Sequence, residues 1–134
     1  MITEDYVSFE TAKLLKEKGF DVWGDDSGIE IYKEYSPSGL LKSCATSKPH
    51  PKGYPAPILQ MVMKWLRDVH NIFIGISVCE RYENLMDADT KIMFFFELFS
   101  LKEKQTIDVP YQYYVRTYEE ACEAAIKYCL ENLI

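Results

Sequence analysis

The sequence contains no apolar run long enough to cross a lipid bilayer. Its longest uninterrupted stretch of this kind is Ile92-Met93-Phe94-Phe95-Phe96, whereas a membrane-spanning helix needs about 20 apolar residues. The first five residues are acidic rather than basic and lead into no apolar segment, which argues against a secretory signal peptide. We therefore expect a cytoplasmic protein without a membrane partner.

The sequence also lacks paired cysteines and clustered histidines. Of its four cysteines, Cys122 and Cys129 are the closest pair, but their spacing along one helix separates them by about 10 Å, beyond the ~7 Å reach of a disulfide. No CxxC motif occurs, and the two histidines, His50 and His70, share no metal-binding spacing. We expect reduced cysteines that act as small apolar residues, with no bound metal ion and no cofactor.

Sequence motifs that identify an enzyme are missing as well. The chain has no phosphate-binding loop, dinucleotide-binding fingerprint, serine-hydrolase elbow or zinc-protease helix. Acidic pairs occur at Asp25-Asp26 and at Asp87-Ala88-Asp89, but neither has the distal glutamate of a calcium loop, and both are typical of turns. The sequence therefore favours a non-enzymatic protein.

Basic residues are too few for a general nucleic-acid binder. The chain carries a net charge of −6, and phosphate backbones select broad positive surfaces. Residues 36–70 are the exception, because five basic side chains against one acid give a local balance of +4. The five are Lys42, Lys48, Lys52, Lys64 and Arg67. Weak nucleic-acid binding through the basic segment 42–67 is one alternative, and contact with an acidic protein or a second copy is another.

Apolar residues, by contrast, are abundant enough for one sizeable core. They make up 48% of the chain, and aromatic residues make up 14%, which argues against disorder. A length of 134 residues is typical of one domain. We therefore expect a single globular domain over residues 1–134.

Three helices are predicted from apolar residues at helical spacing. They lie at 9–18, 58–70 and 118–134. Ser8 precedes the first as a candidate N-cap, and Gly19 follows it. Thr117 and Glu120 form a capping-box pattern at the start of the last.

Strands are predicted where apolar and polar residues alternate, or where short apolar runs are bounded by turn residues. They lie at 20–23, 28–35, 40–46, 72–79, 91–99 and 111–115. The first two suggest a hairpin around a turn at 24–28, and the charged segment 101–108 is expected to be a loop. Short connections favour antiparallel neighbours. The predicted fold class is α+β, a mostly antiparallel sheet of about five to six strands with three helices packed against it.

Three blocks of the sequence carry a resemblance to a known family. They are MITEDYVSFETAKLLKEKGFDVW at 1–23, GYPAPILQMVMKWLRDVHN at 53–71 and YEEACEAAIKYCLENLI at 118–134. Together they resemble small uncharacterised proteins of Bacteroides-type gut bacteria and their prophages. That family has no established activity, so the resemblance implies a context, a cytosolic and phage-related accessory protein, and assigns no site residue.

Tyrosine gives the strongest indication of function. Tyr111, Tyr113 and Tyr114 follow Pro110 in the last predicted strand, and tyrosine combines apolar area with a polar tip, which suits protein interfaces. Tyr54 lies in a basic, proline-rich segment together with three more candidates, Lys48, His50 and Lys52. These seven residues form the predicted interface for a partner protein or for a second copy of the chain.

Glu97 supports an alternative, a small ligand-binding domain or enzyme. It interrupts an otherwise apolar strand between Phe95 and Phe99, and a carboxylate in apolar surroundings is a candidate proton carrier. Arg116 or Lys91 could instead pair with it. A deep pocket around Glu97 would favour the alternative, whereas exposure of its side chain to solvent would argue against it.

Overall fold

The computed structural model describes residues 5–20, 32–44, 52–111 and 113–134, with only the backbone of Tyr32 and Cys44. In chain order the elements are α1 (Phe9–Glu17), β1 (Tyr32–Tyr35), β2 (Leu41–Cys44), β3 (Tyr54–Pro55), α2 (Leu59–His70), β4 (Ile72–Arg81), β5 (Lys91–Ser100), β6 (Gln105–Ile107) and α3 (Tyr118–Asn132). Helices and antiparallel strands are both present, so the predicted α+β class is confirmed.

The described strands form two antiparallel sheets of three strands each, and the prediction of one sheet with five to six strands is wrong in this respect. The first sheet has the order β2-β1-β3 and the second the order β4-β5-β6. The first is completed by β3, where Tyr54 and Pro55 pair with Tyr35 and Glu34. Proline has no amide hydrogen but is tolerated on an edge strand, so a proline-rich segment in which no strand is predicted supplies the third strand.

The described residues fall into two compact units. The first unit contains those within 1–62 and 127–134, and the second contains those within 63–126. The boundaries between the units fall inside α2 and α3, and each unit is described by itself. A single domain over 1–134 stays a prediction.

Helix α1 of the first unit begins and ends as its sequence predicts. Ser8 Oγ accepts a hydrogen bond from the Thr11 amide at 3.2 Å, which satisfies one of the free donors of the first turn. Gly19 follows the C-cap with a φ of 81°, a conformation that favours glycine. On the inner face, Ala12 and Leu15 are buried.

Aromatic rings connect α1 with the first sheet. Phe9 stacks on Tyr35 of β1 with 5.4 Å between the ring centroids, and it packs against Tyr54 of β3 at 5.6 Å. Gly39, in the β1–β2 turn, approaches the same ring so closely that an added Cβ would lie 2.6 Å from it. Only glycine therefore fits at this position of the turn.

Helices α2 and α3 lie within two residues of their predicted bounds. His70 is the last residue of α2, and Asn71 follows it with a φ of 58°, as is common for asparagine after a helix. No helix in the described part of the chain is long and apolar enough to span a membrane.

Helix α3 begins with a modified capping box. The Glu120 amide donates to Thr117 Oγ1 at 3.1 Å, as the sequence predicts. The Glu120 carboxylate accepts from the Arg116 amide at 3.2 Å, one residue before the position expected for a capping box. Two side chain–backbone hydrogen bonds therefore define where α3 starts.

Strands β4 and β5 form the longest paired element of the second unit. Each has ten residues, and Ile72–Arg81 pairs antiparallel with Lys91–Ser100 without interruption. Alternation predicts both strands, and β5 has the central position that its two apolar faces indicate. One face carries buried side chains, among them Ile74 and Leu98.

The third strand of this sheet is not the predicted one. Gln105–Ile107, from the predicted charged loop, forms β6 against the end of β5. The predicted strand 111–115 makes only a single bridge, between Val115 and Phe94. A tight turn at 101–104, in which Lys104 has a φ of 58°, joins β5 to β6, and short loops close at little entropic cost.

Several sequence predictions fall on residues that the structure does not describe. The strand at 20–23 and the hairpin turn at 24–28, with Asp25-Asp26, lie outside the described residues except for Phe20, which is buried and in no strand. The predicted strand 28–35 is represented by β1, and the predicted strand 40–46 by β2.

Two cysteines are buried as apolar side chains, in agreement with the sequence. Cys122 and Cys129 of α3 have no exposed surface. Burial raises the pKa of Cys122 to about 11 and that of Cys129 to about 12. Cys79 on β4 is partly exposed. Because the thiolate is the reactive form, the two buried thiols are expected to be inert.

We expect iodoacetamide at neutral pH to modify Cys79 well before Cys122 or Cys129, because Cys79 is partly exposed to solvent whereas the other two thiols are buried. Peptide mass spectrometry would locate the modified positions, and guanidinium chloride should make all three react. Equal native-state rates for Cys79 and Cys122 would contradict the burial.

We expect the substitution Thr117→Ala to lower the free energy of unfolding by about 1 kcal/mol, because α3 loses its N-cap. Thr117→Ser keeps the hydroxyl and should change the free energy much less. Urea unfolding followed by circular dichroism measures both variants, and equal losses would show that the hydroxyl does not act as a cap.

Candidate binding groove on the second sheet

Two adjacent rows of side chains on one face of the β4-β5-β6 sheet surround an open cavity of about 490 Å³. The rows are Phe73–Phe99–Thr106 and Gly75–Glu97–Asp108. The first row follows from direct register pairing across the three strands. In the second, Gly75 and Glu97 are register partners, and Asp108, the residue immediately after β6, lines the same cavity. This cavity is called the groove below.

Two phenylalanine rings form the apolar walls of the groove. Phe73 and Phe99 are register partners on β4 and β5, and their side chains are 44% and 36% exposed. At this end of the two strands the apolar side chains of the other face, such as Ile74 and Leu98, are buried. The two rings are therefore exposed on the face opposite the buried side chains.

Gly75 leaves the space between the walls open. A Cβ added there would meet the Phe73 ring at 3.7 Å and the Glu97 carbonyl oxygen at 3.9 Å, which is ordinary van der Waals contact. The position therefore has room for a side chain. Glycine weakens a strand interior and is found where a ligand approaches the backbone closely.

The third strand changes register along β5 next to Glu97. Ile107 pairs with Leu98, whereas Val115 bridges Phe94. Seven residues, 108–114, thus correspond to only three on β5, 95–97, which is four more than regular pairing needs. The stretch between Ile107 and Tyr113, which the structure describes at residues 108–111, is called the excursion below. The excursion keeps the third strand from continuing beside Glu97, and its first residues line the groove.

Tyr113 and Tyr114 bring the chain back to β5. Continuing the register of the single bridge places Tyr113 beside Phe96 and Tyr114 beside Phe95, and in both pairs the ring centroids lie 5.5 Å apart. Arg81 lies over the Tyr114 ring, 3.8 Å from its centroid. Adjacent residues of a strand point to opposite faces, so the two tyrosines contact opposite faces of β5, as the predicted alternation requires.

The groove contains two carboxylates without a basic partner. Glu97 and Asp108 are both exposed, and no described lysine or arginine lies within ion-pair distance of either. Like charges that line one cavity repel each other and reduce stability. Features that reduce stability in this way are typical of functional sites.

Glu97 does not lie in the apolar surroundings that the enzyme alternative assumed, and that alternative stays a prediction. Its neighbours on the strand indicated apolar surroundings, but Gly75 beside it has no side chain, so solvent reaches the carboxylate. Among the described residues, no group of three or more His, Cys, Asp or Glu could hold a metal ion. The groove combines aromatic surface with negative charge, which suits noncovalent binding.

The described residues of the predicted interface fall in both units. Lys48 and His50 lie outside the described residues, and Lys52 is exposed. Tyr54 is half-buried against Phe9, with Lys16 Nζ 5.1 Å from its ring centroid. Tyr54 thus contributes to packing in the first unit.

The remaining predicted interface residues belong to the second unit. Tyr111 is 71% exposed, Tyr113 is 39% exposed and stacked on Phe96, and Tyr114 is half-buried. A surface that combines these tyrosines with the segment 48–54 stays a prediction, because the two parts lie in different units.

The basic segment 42–67 is also divided. Lys42 and Lys52 belong to the first unit, and Lys64 and Arg67 to the second. Binding of a nucleic acid requires these side chains to converge on one surface. That convergence, and the weak nucleic-acid binding derived from it, stay predictions.

Sequence reasoning missed most residues of the groove. Phe73, Gly75 and Phe99 were placed on strands without a functional role, and Asp108 was placed in a loop. One signal was present, the isolated Gly75 inside a strongly alternating strand. The residue that lies opposite Gly75 could be identified only from the strand register in the structure.

Comparison with other proteins identifies no relative of this chain. No protein-family model, curated protein or solved structure matches it. The resemblance of three sequence blocks to a family of Bacteroides-type bacteria therefore stays a prediction.

We expect Glu97→Gln and Asp108→Asn each to raise the free energy of unfolding by about 0.2–1 kcal/mol, because each relieves the repulsion between two carboxylates that line the same groove. The double variant should gain less than the sum of the two, since either substitution already removes the repulsion. Urea unfolding at low salt measures the wild type and the three variants, and high salt should reduce the gains in stability. Additive effects or losses of stability would contradict repulsion between the two carboxylates.

Proposed function

We propose that this chain is a non-enzymatic protein-interaction domain whose partner binds in the groove. The observation that carries the proposal is the exposure of two aromatic rings, Phe73 and Phe99, beside an open cavity with unpaired carboxylates. Aromatic side chains are enriched at the energetic centres of protein interfaces. Exposed apolar surface beside polar groups marks an interaction site more often than it marks ordinary surface.

The size of the groove favours insertion of side chains from a partner. Its volume of about 490 Å³ falls within the range of small-molecule sites, ~300–1,000 Å³, so it has room for one or a few side chains. Its two walls stand on the uninterrupted β4–β5 pairing. A preformed site of this kind loses little conformational entropy on binding.

The partner in this proposal is another protein or a second copy of the chain. A cytoplasmic location and a phage-related accessory role are further parts of the proposal, supported by the sequence and by the resemblance of its three blocks. They do not affect the argument from the groove.

A random-peptide display selection against the immobilised chain would test this function. We expect enriched peptides that bind the wild type and lose at least tenfold in affinity on Phe73→Ser, because that substitution removes one wall. Val78→Ser is the matched control, since Val78 lies on the same strand, is 60% exposed and points to the opposite face. It should retain wild-type affinity.

Light scattering of the purified chain tests whether the partner is a second copy. A dimer that dissociates on Phe73→Ser but persists on Val78→Ser would identify it as such. A monomer that yields no enriched peptide, or peptides whose affinity is unchanged by Phe73→Ser, would overturn the proposal.

A further inference from the structure

We infer that the groove recognises an arginine side chain of the partner. This inference deepens the proposed function and rests on it, because it names the group that the protein-binding groove accepts. Three features of the groove support it: its unpaired carboxylates, its flat aromatic walls and the open position at Gly75.

The first feature is the unbalanced negative charge. Glu97 and Asp108 both line the groove, and no described basic side chain pairs with them. A cation bound between two carboxylates would remove their mutual repulsion and gain charge-assisted hydrogen bonds from both. The ligand that best complements this row is therefore positively charged.

The second feature is the planarity of the walls. Phe73 and Phe99 present ring surface beside the carboxylates, and cations bind favourably over aromatic faces. A guanidinium is planar and less strongly hydrated than an ammonium, and it offers several donors in one plane. It can therefore stack on a ring and donate to a carboxylate at the same time, which an ammonium does less well.

An arginine already stacks on an aromatic ring elsewhere on this face. Arg81, whose register partner is Lys91, lies 3.8 Å from the centroid of the Tyr114 ring. Arg81 and Gly75 are on the same face of β4, because their positions differ by an even number and side chains alternate between the faces of a strand. An incoming guanidinium over Phe73 would repeat this contact eight residues away along the strand, with the groove carboxylates beside it.

The third feature is the absence of a side chain at Gly75. The backbone there leaves room for a Cβ in ordinary contact with Phe73 and Glu97, and β-branched residues suit a strand better than glycine does. Glycine keeps the path to the Glu97 carboxylate open. Filling this position should thus close the groove without damaging the sheet.

The inference can be tested with single-residue probes and NMR. The probes are the N-acetyl methylamides of arginine, lysine and citrulline, the last being an uncharged molecule of nearly the same shape as arginine. We expect arginine to shift the amide signals of Glu97 and Phe99 with a dissociation constant on the order of 1 mM, as is reasonable for so small a ligand. Citrulline should bind at least tenfold more weakly, and lysine should fall between the two. Added salt should weaken arginine binding.

Two variants and one control locate the site. Gly75→Val should abolish arginine binding while leaving the melting temperature unchanged or higher, so that loss of binding cannot be ascribed to unfolding. Ser77→Val is the matched control, because Ser77 is the next residue of β4 on the same face and does not line the groove. Glu97→Gln should weaken binding several-fold.

The outcomes separate this inference from the proposed function. Equal binding of arginine and citrulline, equal binding of arginine and lysine, or unchanged binding on Gly75→Val would each overturn the arginine assignment. Selected peptides that need Phe73 but contain no arginine would overturn it as well and would leave the protein-interaction proposal standing. Arginine binding in the groove without any selected peptide would support the assignment and count against the protein partner.

Discussion

The antiparallel pairing of β4 with β5 is the constraint on which the groove depends. Ten consecutive pairs fix which residues share each face, and a shift of one position would move every side chain to the other side. The buried face holds Ile74 and Leu98, so the hydrophobic effect opposes such a shift. The exposed position of Phe73 beside Gly75 is thus a consequence of burying its neighbours.

The chemistry of the groove comes from a mismatch added to this regular pairing. The third strand follows one register as β6 and another at Val115, and the residues between them leave the edge of β5 at Glu97. The aromatic contacts of Tyr113 and Tyr114 hold the returning chain. The regular pairing of β4 with β5 holds the two phenylalanine walls. The excursion leaves open space beside them and places the Asp108 carboxylate in the groove.

The sequence predicts the local parts of this molecule well. Alternation places β4 and β5, and capping residues such as Ser8 and Thr117 place two helix starts, because these signals act within a few residues. The short strands β3 and β6 escape prediction, since pairing with a neighbour rather than β-propensity creates them. In the predicted strand 111–115, Tyr113 and Tyr114 contact opposite faces of β5, as alternation predicts. The described residues there nevertheless form a single bridge instead of a strand.

The site could not be predicted because it depends on register across three strands. The apolar neighbours of Glu97 suggested burial, yet the residue beside it on β4 is a glycine, which no periodicity of β5 reveals. Asp108 lines the groove together with Glu97, and its position follows from the tight turn at 101–104 that joins β5 to β6.

The excursion has one more consequence. It departs from and returns to the same strand, so amino acids could be inserted or deleted within it while Ile107 and Tyr113 keep their neighbours. Loop length could then vary over evolutionary time, reshaping ligand preference while the underlying architecture remained intact.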